Sequence, residues 1–252
     1  MKTKFLRTSD LARAVGIHPN TVRLYVEWGL IPPVEKDTNG YRKFTQRHLE
    51  CLQLARLIYV APYPGKTLRS SGKEIIQAIV RDDWGGALEK AFHHLSFVKA
   101  ELVNAETAVL LLEHWAQGLP TETMGNVLLI GKVADLLGVS RDVIRNWERN
   151  GLISVPRNSY NTYRLFGPSE IGRMRVIRML SQAGYSHMSI LRMFIELDKG
   201  SKKDLRKVLD TPRSDEDVFM ASDHWLSTLN AQEKLAQDVI AFIEKKLTRK
   251  IN

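Results

Sequence analysis

Two arginines set the first question. Arg23 lies in Asn20-Thr21-Val22-Arg23-Leu24-Tyr25, and Arg145 lies in Arg141-Asp142-Val143-Ile144-Arg145-Asn146-Trp147. A guanidinium grips a phosphate, or the O6/N7 edge of a guanine, with two parallel bonds. A carboxamide pairs with an adenine edge, and a hydroxyl or phenol reaches a phosphate oxygen. The same residue types recur further on as Tyr41-Arg42-Lys43 and Tyr163-Arg164, with Lys36, Asn39, Arg157 and Asn158 near them. Their shared chemistry is the gripping of a polyanion that also offers hydrogen-bonding edges. Two plainer readings stand beside it. Arg23 and Arg145 can pair with Glu27 and Glu148 on their own helix surfaces. Tyr25 and Trp147 can be packed aromatics with no ligand.

Other chemistries find little support. No Ser/His/Asp set, glycine-rich phosphate loop or paired-carboxylate motif stands out, so no enzyme activity is expected. Cys51 is the single cysteine, which excludes an internal disulfide. It reads as a small core residue. A thiolate metal site would need more cysteines. His93 and His94 point to different faces of a helix, so neither a metal nor a cofactor is expected.

The net charge is +9, and it is unevenly spread. Residues 1–60 and 128–200 each carry +5, whereas 61–127 carries −2 and 201–252 carries +1. Two separate basic blocks suit a polyanion met at two points. No apolar run approaches the ~18 residues that span a bilayer, and no signal-peptide core follows the basic N-terminus. A soluble cytoplasmic protein with no membrane partner is the expectation.

An internal repeat organises these residues. Shifted by 122 positions, 11–57 aligns with 133–179 without a gap, pairing Gly16/Gly138, Arg23/Arg145, Gly29-Leu30-Ile31/Gly151-Leu152-Ile153, Asn39/Asn161, Tyr41-Arg42/Tyr163-Arg164 and Phe44/Phe166. A duplicated module follows. In module one, Thr8 is the expected N-cap and Asp10 lies in the first turn. Leu11, Ala14 and Val15 share a face. Gly16 turns the chain, and Pro19 opens a second helix to about Val26 with Val22 inward and Asn20, Thr21 and Arg23 outward. In module two, Lys132–Leu137, Gly138 and Ser140 repeat the plan ahead of Arg141–Arg149. Two short helices about a tight glycine turn make a helix-turn-helix. Asn39-Gly40 signals a two-residue hairpin turn between two short strands, with Asn161-Thr162 a poorer counterpart. A third helix is expected from Thr45 or Gln46, and from Gly167-Pro168.

The order helix, turn, Thr-Val-Arg-Leu-Tyr, Gly-Leu-Ile-Pro-Pro, then Gly-Tyr-Arg-Lys-Phe resembles the DNA-binding domain of the MerR family of transcription regulators. Module two offers Val143-Ile144-Arg145-Asn146-Trp147 and Thr162-Tyr163-Arg164-Leu165-Phe166 at the same places. The resemblance covers roughly 8–82 and 130–198. It implies a mainly α fold with two winged helix-turn-helix domains, and a recognition helix in the major groove with a wing on the flanking backbone. Asn20, Thr21, Arg23 and Tyr25 would then serve the first helix, and Lys36, Asn39, Tyr41, Arg42 and Lys43 the first wing. Arg141, Arg145, Asn146 and Trp147, with Arg157, Asn158, Tyr163 and Arg164, would serve the second module. Leu165 replaces Lys43 and Trp147 replaces the phenol of Tyr25, so the modules should read different half-sites.

Trp84, Leu88, Ala91, Leu95, Val98, Leu102, Ala105, Val109, Leu112 and Ala116 alternate steps of four and three, the spacing of a coiled-coil helix over about 87–117. A second, less regular seam runs Ser222, Leu226, Leu229, Glu233, Ala236, Ile240, Ile243 and Leu247, in a helix expected after Ser214. The resulting divisions are 1–82, module one; 83–117, coiled-coil helix; 118–127, linker; 128–200, module two; and 201–252, C-terminal helices including the second arm. Segment 61–72 reads as a neutral surface insertion; an extra backbone contact through Lys66 and Arg69 is the sharper alternative. Members of the family pair such arms between two chains. Here both arms lie in one chain, so a monomeric pseudo-dimer is favoured over a homodimer. By the same resemblance, the partners are double-stranded DNA at an imperfect palindrome and RNA polymerase, with regulation by promoter distortion. An architectural or recombination accessory that bends DNA, and an adaptor that has lost DNA binding, are the other readings.

Overall fold

In the computed structural model, the described residues are 5–60, 66–117, 127–200, 204–212 and 221–251. They divide into two compact units, Met1–Ala100 with Leu229–Asn252, and Glu101–Thr228. Both are built from helices, and among the described residues the only β structure is isolated bridges.

The first unit begins with α1 (Thr8–Ala14) and α2 (Pro19–Glu27). The residue capping α1 is Arg7, not Thr8, and the Asp10 carboxylate accepts from the Arg7 N–H at 2.8 Å. Ala12 joins Leu11 in the core, while the expected Ala14 is exposed. Gly16 adopts φ +65°, a left-handed conformation that glycine enters without a steric penalty. His18 caps α2 by accepting the Asn20 N–H on Nδ1 at 3.2 Å, and Pro19, which has no N–H to satisfy, occupies the first turn.

A loop leads to α3 (Gln46–Tyr59), capped at Thr45, and then to α4 (Lys66–Val80). The described half of segment 61–72 is therefore not a surface insertion. Residues 66–72 form the first two turns of α4, where Leu68 and Ser71 are buried. Residues 61–65 lie outside the described residues. Two further helices complete the unit: the first part of α5 (Trp84–Ala116) and the last part of α11 (Trp225–Ile251).

Leu11, Val22, Ile31, Phe44, Leu52 and Ile75 form one core with Ala87 and Ala91 of α5 and Val239, Ile240 and Ile243 of α11. Each fully buried Leu, Ile or Phe contributes about 1.5–3 kcal/mol. The expected α5 seam is thus used, with Trp84, Ala91 and Val98 buried and Leu88 and Leu95 half-buried. Lys246 closes the edge, 2.7 Å from Glu50 and over the Trp84 ring. Burial pushes the Cys51 thiol up to about 12, so it is an inert core side chain. His48 and His94 are also buried, and desolvation holds both below the usual imidazole value.

The second unit repeats the plan with α6 (Ile130–Leu137), α7 (Arg141–Arg149), α8 (Pro168–Gln182) and α9 (His187–Asp198). Gly138 at φ +60° matches Gly16, and the Ser140 hydroxyl accepts the Val143 N–H at 3.3 Å. The rest of α5 packs here through buried Ala105, Val109 and Leu112, and Trp115 meets Phe194 edge-on. A short α10 (Leu205–Asp210) and a 3-10 turn (Ala221–His224) lead into α11.

Buried Arg192 holds these pieces together. It donates to the carbonyls of Val208 at 2.7 Å and Leu209 at 3.1 Å, and to that of Asp223. The second long helix starts at Trp225, not after Ser214. The Trp225 ring lies directly over Gly184, which fixes where the chain turns into α11. The expected acidic first turn, Asp215-Glu216-Asp217, and all of the expected linker 118–127 except Val127 lie outside the described residues. Each long helix contributes residues to both units. No helix among the described residues is long and apolar enough to cross a membrane.

Candidate nucleic-acid interface

In module one, α2 turns Val22 and Tyr25 inward and leaves Asn20, Arg23, Leu24 and Glu27 exposed, with Thr21 half-buried. Arg23 does not reach Glu27. Its guanidinium donates to the Asn20 side-chain oxygen at 3.3 Å. Tyr25 is core, stacked against an exposed Trp28 with ring centroids 6.2 Å apart.

The loop after α2 is a hairpin closed by the single bridge Lys36↔Arg42, in place of the two strands expected. Its turn is longer than Asn39-Gly40 alone. Asp37 receives the Gly40 N–H on its carbonyl, and the N–H groups of Asn39 and Tyr41 on its carboxylate, both at 2.9 Å. Gly40 takes φ +80°. Thr38, Asn39 and Gly40 thus form a three-residue loop with glycine at its left-handed position. It exposes Asn39 and Tyr41, with Lys36 exposed on one side and Arg42 half-buried opposite. Lys43 stacks over the Phe5 ring at 5.3 Å.

In module two, α7 buries Ile144 and Trp147 and exposes Arg141 and Arg145, with Asn146 half-buried. Trp147 is 3% exposed and therefore packs instead of projecting. Arg145 pairs with Asp142 at 2.9 Å, one turn earlier, and not with Glu148. The Asn146 side chain accepts from Asn150 at 2.7 Å.

The second hairpin carries a slip that the gapless alignment hides. Asn158 N–H donates to the Tyr163 carbonyl and Leu165 N–H to that of Pro156, as Asp37 and Lys43 do with Tyr41 and Glu35. Arg157 therefore corresponds in space to Lys36, not to Glu35. One residue is missing before the hairpin and one is added in its turn. Thr162 occupies the left-handed corner at φ +59°, where module one has glycine. Asn158, half-buried, spends its side-chain oxygen on the Tyr160 N–H at 2.8 Å.

Between α6, α7 and this hairpin lies an open groove of about 720 Å³. Lys132, Arg141, Arg145, Arg157 and Arg164 line it with Tyr163, Thr162 and a single acid, Asp135. The structure thus brings five of the sequence-selected residues of this module to one wall: Arg141, Arg145, Arg157, Tyr163 and Arg164. Lys132 joins them from α6. Gly131 makes room, since a Cβ there would stand 3.0 Å from the Arg141 guanidinium. Asp142 and Glu148 pair with three of these arginines from beside the groove, and the concave surface keeps the excess of cations that suits a phosphate backbone.

The family model for MerR HTH family regulatory proteins matches twice, over residues 6–58 and 128–194. Two stretches of the chain therefore carry the helix-turn-helix domain of the MerR family. Its DNA-binding domain is present in tandem, and both helix-turn-helix units are those of DNA-binding transcription regulators rather than of enzymes. The mercuric resistance operon regulatory protein of Bacillus cereus is 28% identical over 96 residues, 35% of this chain and 73% of that protein. The transcriptional regulator CueR of Escherichia coli O6:H1 is 38% identical over 68 residues, 27% of this chain and 48% of its own length. A probable heavy metal-dependent transcriptional regulator of Haemophilus influenzae is 29% identical over 111 residues, covering 44% and 78%. The chain therefore spans about half the length of the CueR relative and about three quarters of the other two. No solved structure matches it significantly.

Three features of the interface were not selected from the sequence. Glu148 entered only as a helix neighbour of Arg145, yet it contacts two hairpin arginines, Arg164 at 2.7 Å and Arg157 at 3.7 Å. A usable signal was present, because the repeat places Val26 at its position in module one. Lys132 and Gly131 act through the groove shape, which residue types alone do not encode. Trp28, 64% exposed, walls a second cavity of about 590 Å³ with Lys66, Arg69 and Lys73.

Proposed function

We propose that the two modules read unlike halves of one duplex site, an imperfect palindrome, and regulate transcription by distorting the promoter between them. The basic groove of module two carries this reading. It collects Arg141 and Arg145 from the proposed recognition helix with Arg157, Tyr163 and Arg164 from the proposed wing on one concave face. In module one, Asn20, Thr21 and Arg23 take the base-facing role, and Lys36, Asn39, Tyr41, Arg42 and Lys43 the backbone role. Buried Tyr25 and Trp147 orient these helices from behind and make no base contact.

In this reading α5 and α11 serve as the paired arms of a pseudo-dimer within one polypeptide. The shared core of Ala87, Ala91, Val239, Ile240 and Ile243 supports it. So does the ion pair between Lys99 and Glu233 at 3.8 Å. Bending a site of 20–30 base pairs costs about 1–6 kcal/mol, which contacts on both flanks offset. Contact with RNA polymerase distinguishes a regulator from an architectural protein. Purified protein, polymerase and a bound promoter should give altered transcript levels; DNA bending with no change in transcription would favour the architectural role.

A further inference from the structure

We propose that Glu148 is a positioning residue that sets the sequence discrimination of module two by fixing its hairpin arginines. The inference rests on the reading that this module contacts DNA. Glu148 stands on α7, and each of its carboxylate oxygens takes one arginine: Oε2 accepts Arg164 Nε at 2.7 Å, and Oε1 lies 3.7 Å from Arg157 Nη2. The two arginines face each other across the antiparallel bridge Arg157↔Arg164. Like charges opposed in this way repel, and a carboxylate between them converts repulsion into a defined arrangement.

Arg164 is held through Nε, and no other bond to it is present among the described residues. Its terminal nitrogens remain to grip a phosphate. The Glu148 side chain is only 21% exposed, in a setting where charge-assisted bonds are held more firmly than on open surface. Among the described residues, module one shows no equivalent. Lys36 and Arg42 also face each other across a bridge, but Val26 stands where Glu148 would be. The clasp therefore links the recognition helix to the hairpin in module two alone, so the base-facing and backbone-facing arginines move as one body.

Positioning has an unusual signature, because removing the acid also removes a charge that opposes DNA. Glu148→Gln and Glu148→Ala should therefore bind random duplex at least as tightly as the native chain, with a salt slope steeper by about one. Preference for the selected module-two half-site over a scrambled one should fall about tenfold, the scale of one lost base-reading contact. The cost of scrambling the module-one half-site should not change. The measurement is a competition titration of the full chain with three duplexes: the site selected from random DNA, and that site with either half scrambled.

An unchanged preference at the module-two half in Glu148→Gln overturns the proposal. So does an equal loss at both halves with a lowered melting temperature, which marks a purely structural residue. Native protein that shows no preference at the module-two half at all would instead overturn the DNA reading of that module.

Discussion

The two hairpins, products of one repeat, solve the same problem differently. Module one turns on glycine, at Gly40, and leaves Lys36 and Arg42 facing each other, with Val26 at the repeat position of Glu148. Module two turns on Thr162, in a left-handed conformation that a β-branched residue rarely adopts, and secures its arginines with Glu148. The first hairpin is relaxed and loosely charged; the second is strained and clasped. The difference teaches that duplication preserved the frame of glycine turns and buried aromatics, while the charged surface diverged. A module whose cations are fixed in advance loses less side-chain freedom on binding.

The comparison breaks most severely at Gly184. A Cβ there would meet the Trp225 ring at 2.3 Å, in a backbone at φ +99°. Gly184→Ala should destabilise the second unit by about 3 kcal/mol. A thermal melt should separate into two steps, and the module-two footprint should vanish before the module-one footprint.

Next come the paired arginines. Arg23→Ala and Arg145→Ala should each cost about 1–3 kcal/mol, at different half-sites. Footprints of the two variants report which half is lost, and identical losses would erase the distinction between modules. A smaller effect is expected at the strained corner. Thr162→Gly should stabilise the second unit by about 1 kcal/mol in chemical denaturation, by relieving the positive φ. It should also loosen the hairpin toward the module-one type.

Acid should sharpen the contrast by the smallest margin. His48 and His94 of the first unit have lowered pKa values from burial. The unfolded chain then binds protons more readily, so their stabilisation is present above about pH 6.5 and is lost as pH falls toward the folded values. The first unit should lose stability as pH falls below about 6.5, and His94→Gln should flatten part of that slope in melts across pH.

Much of this was legible in the sequence because it follows from local rules. Gly16 and Gly138 mark tight turns, Pro19 and Ser140 mark helix starts, and the alternation from Trp84 to Ala116 marks a helix that the structure begins and ends within three residues of the expectation. Among the groove residues, Arg145, Tyr163 and Arg164 were legible because the repeat matches them to Arg23, Tyr41 and Arg42 at one offset. What escaped depends on distant parts of the chain. The start of α11 is set by a ring seated on Gly184, forty-one positions earlier. The compensated slip that pairs Arg157 with Lys36 leaves the flanking register intact, so counting residues cannot reveal it. Nor does the letter E at 148 disclose that its partners come from the hairpin and not from its own helix.

The most direct test of the central claim is a hydroxyl-radical footprint of the full chain on the duplex it selects from random DNA. Two protected segments of unlike sequence are expected on one site, the first weakened by Arg23→Ala and the second by Arg145→Ala. A single protected segment, or two segments that respond identically to both substitutions, would contradict the account.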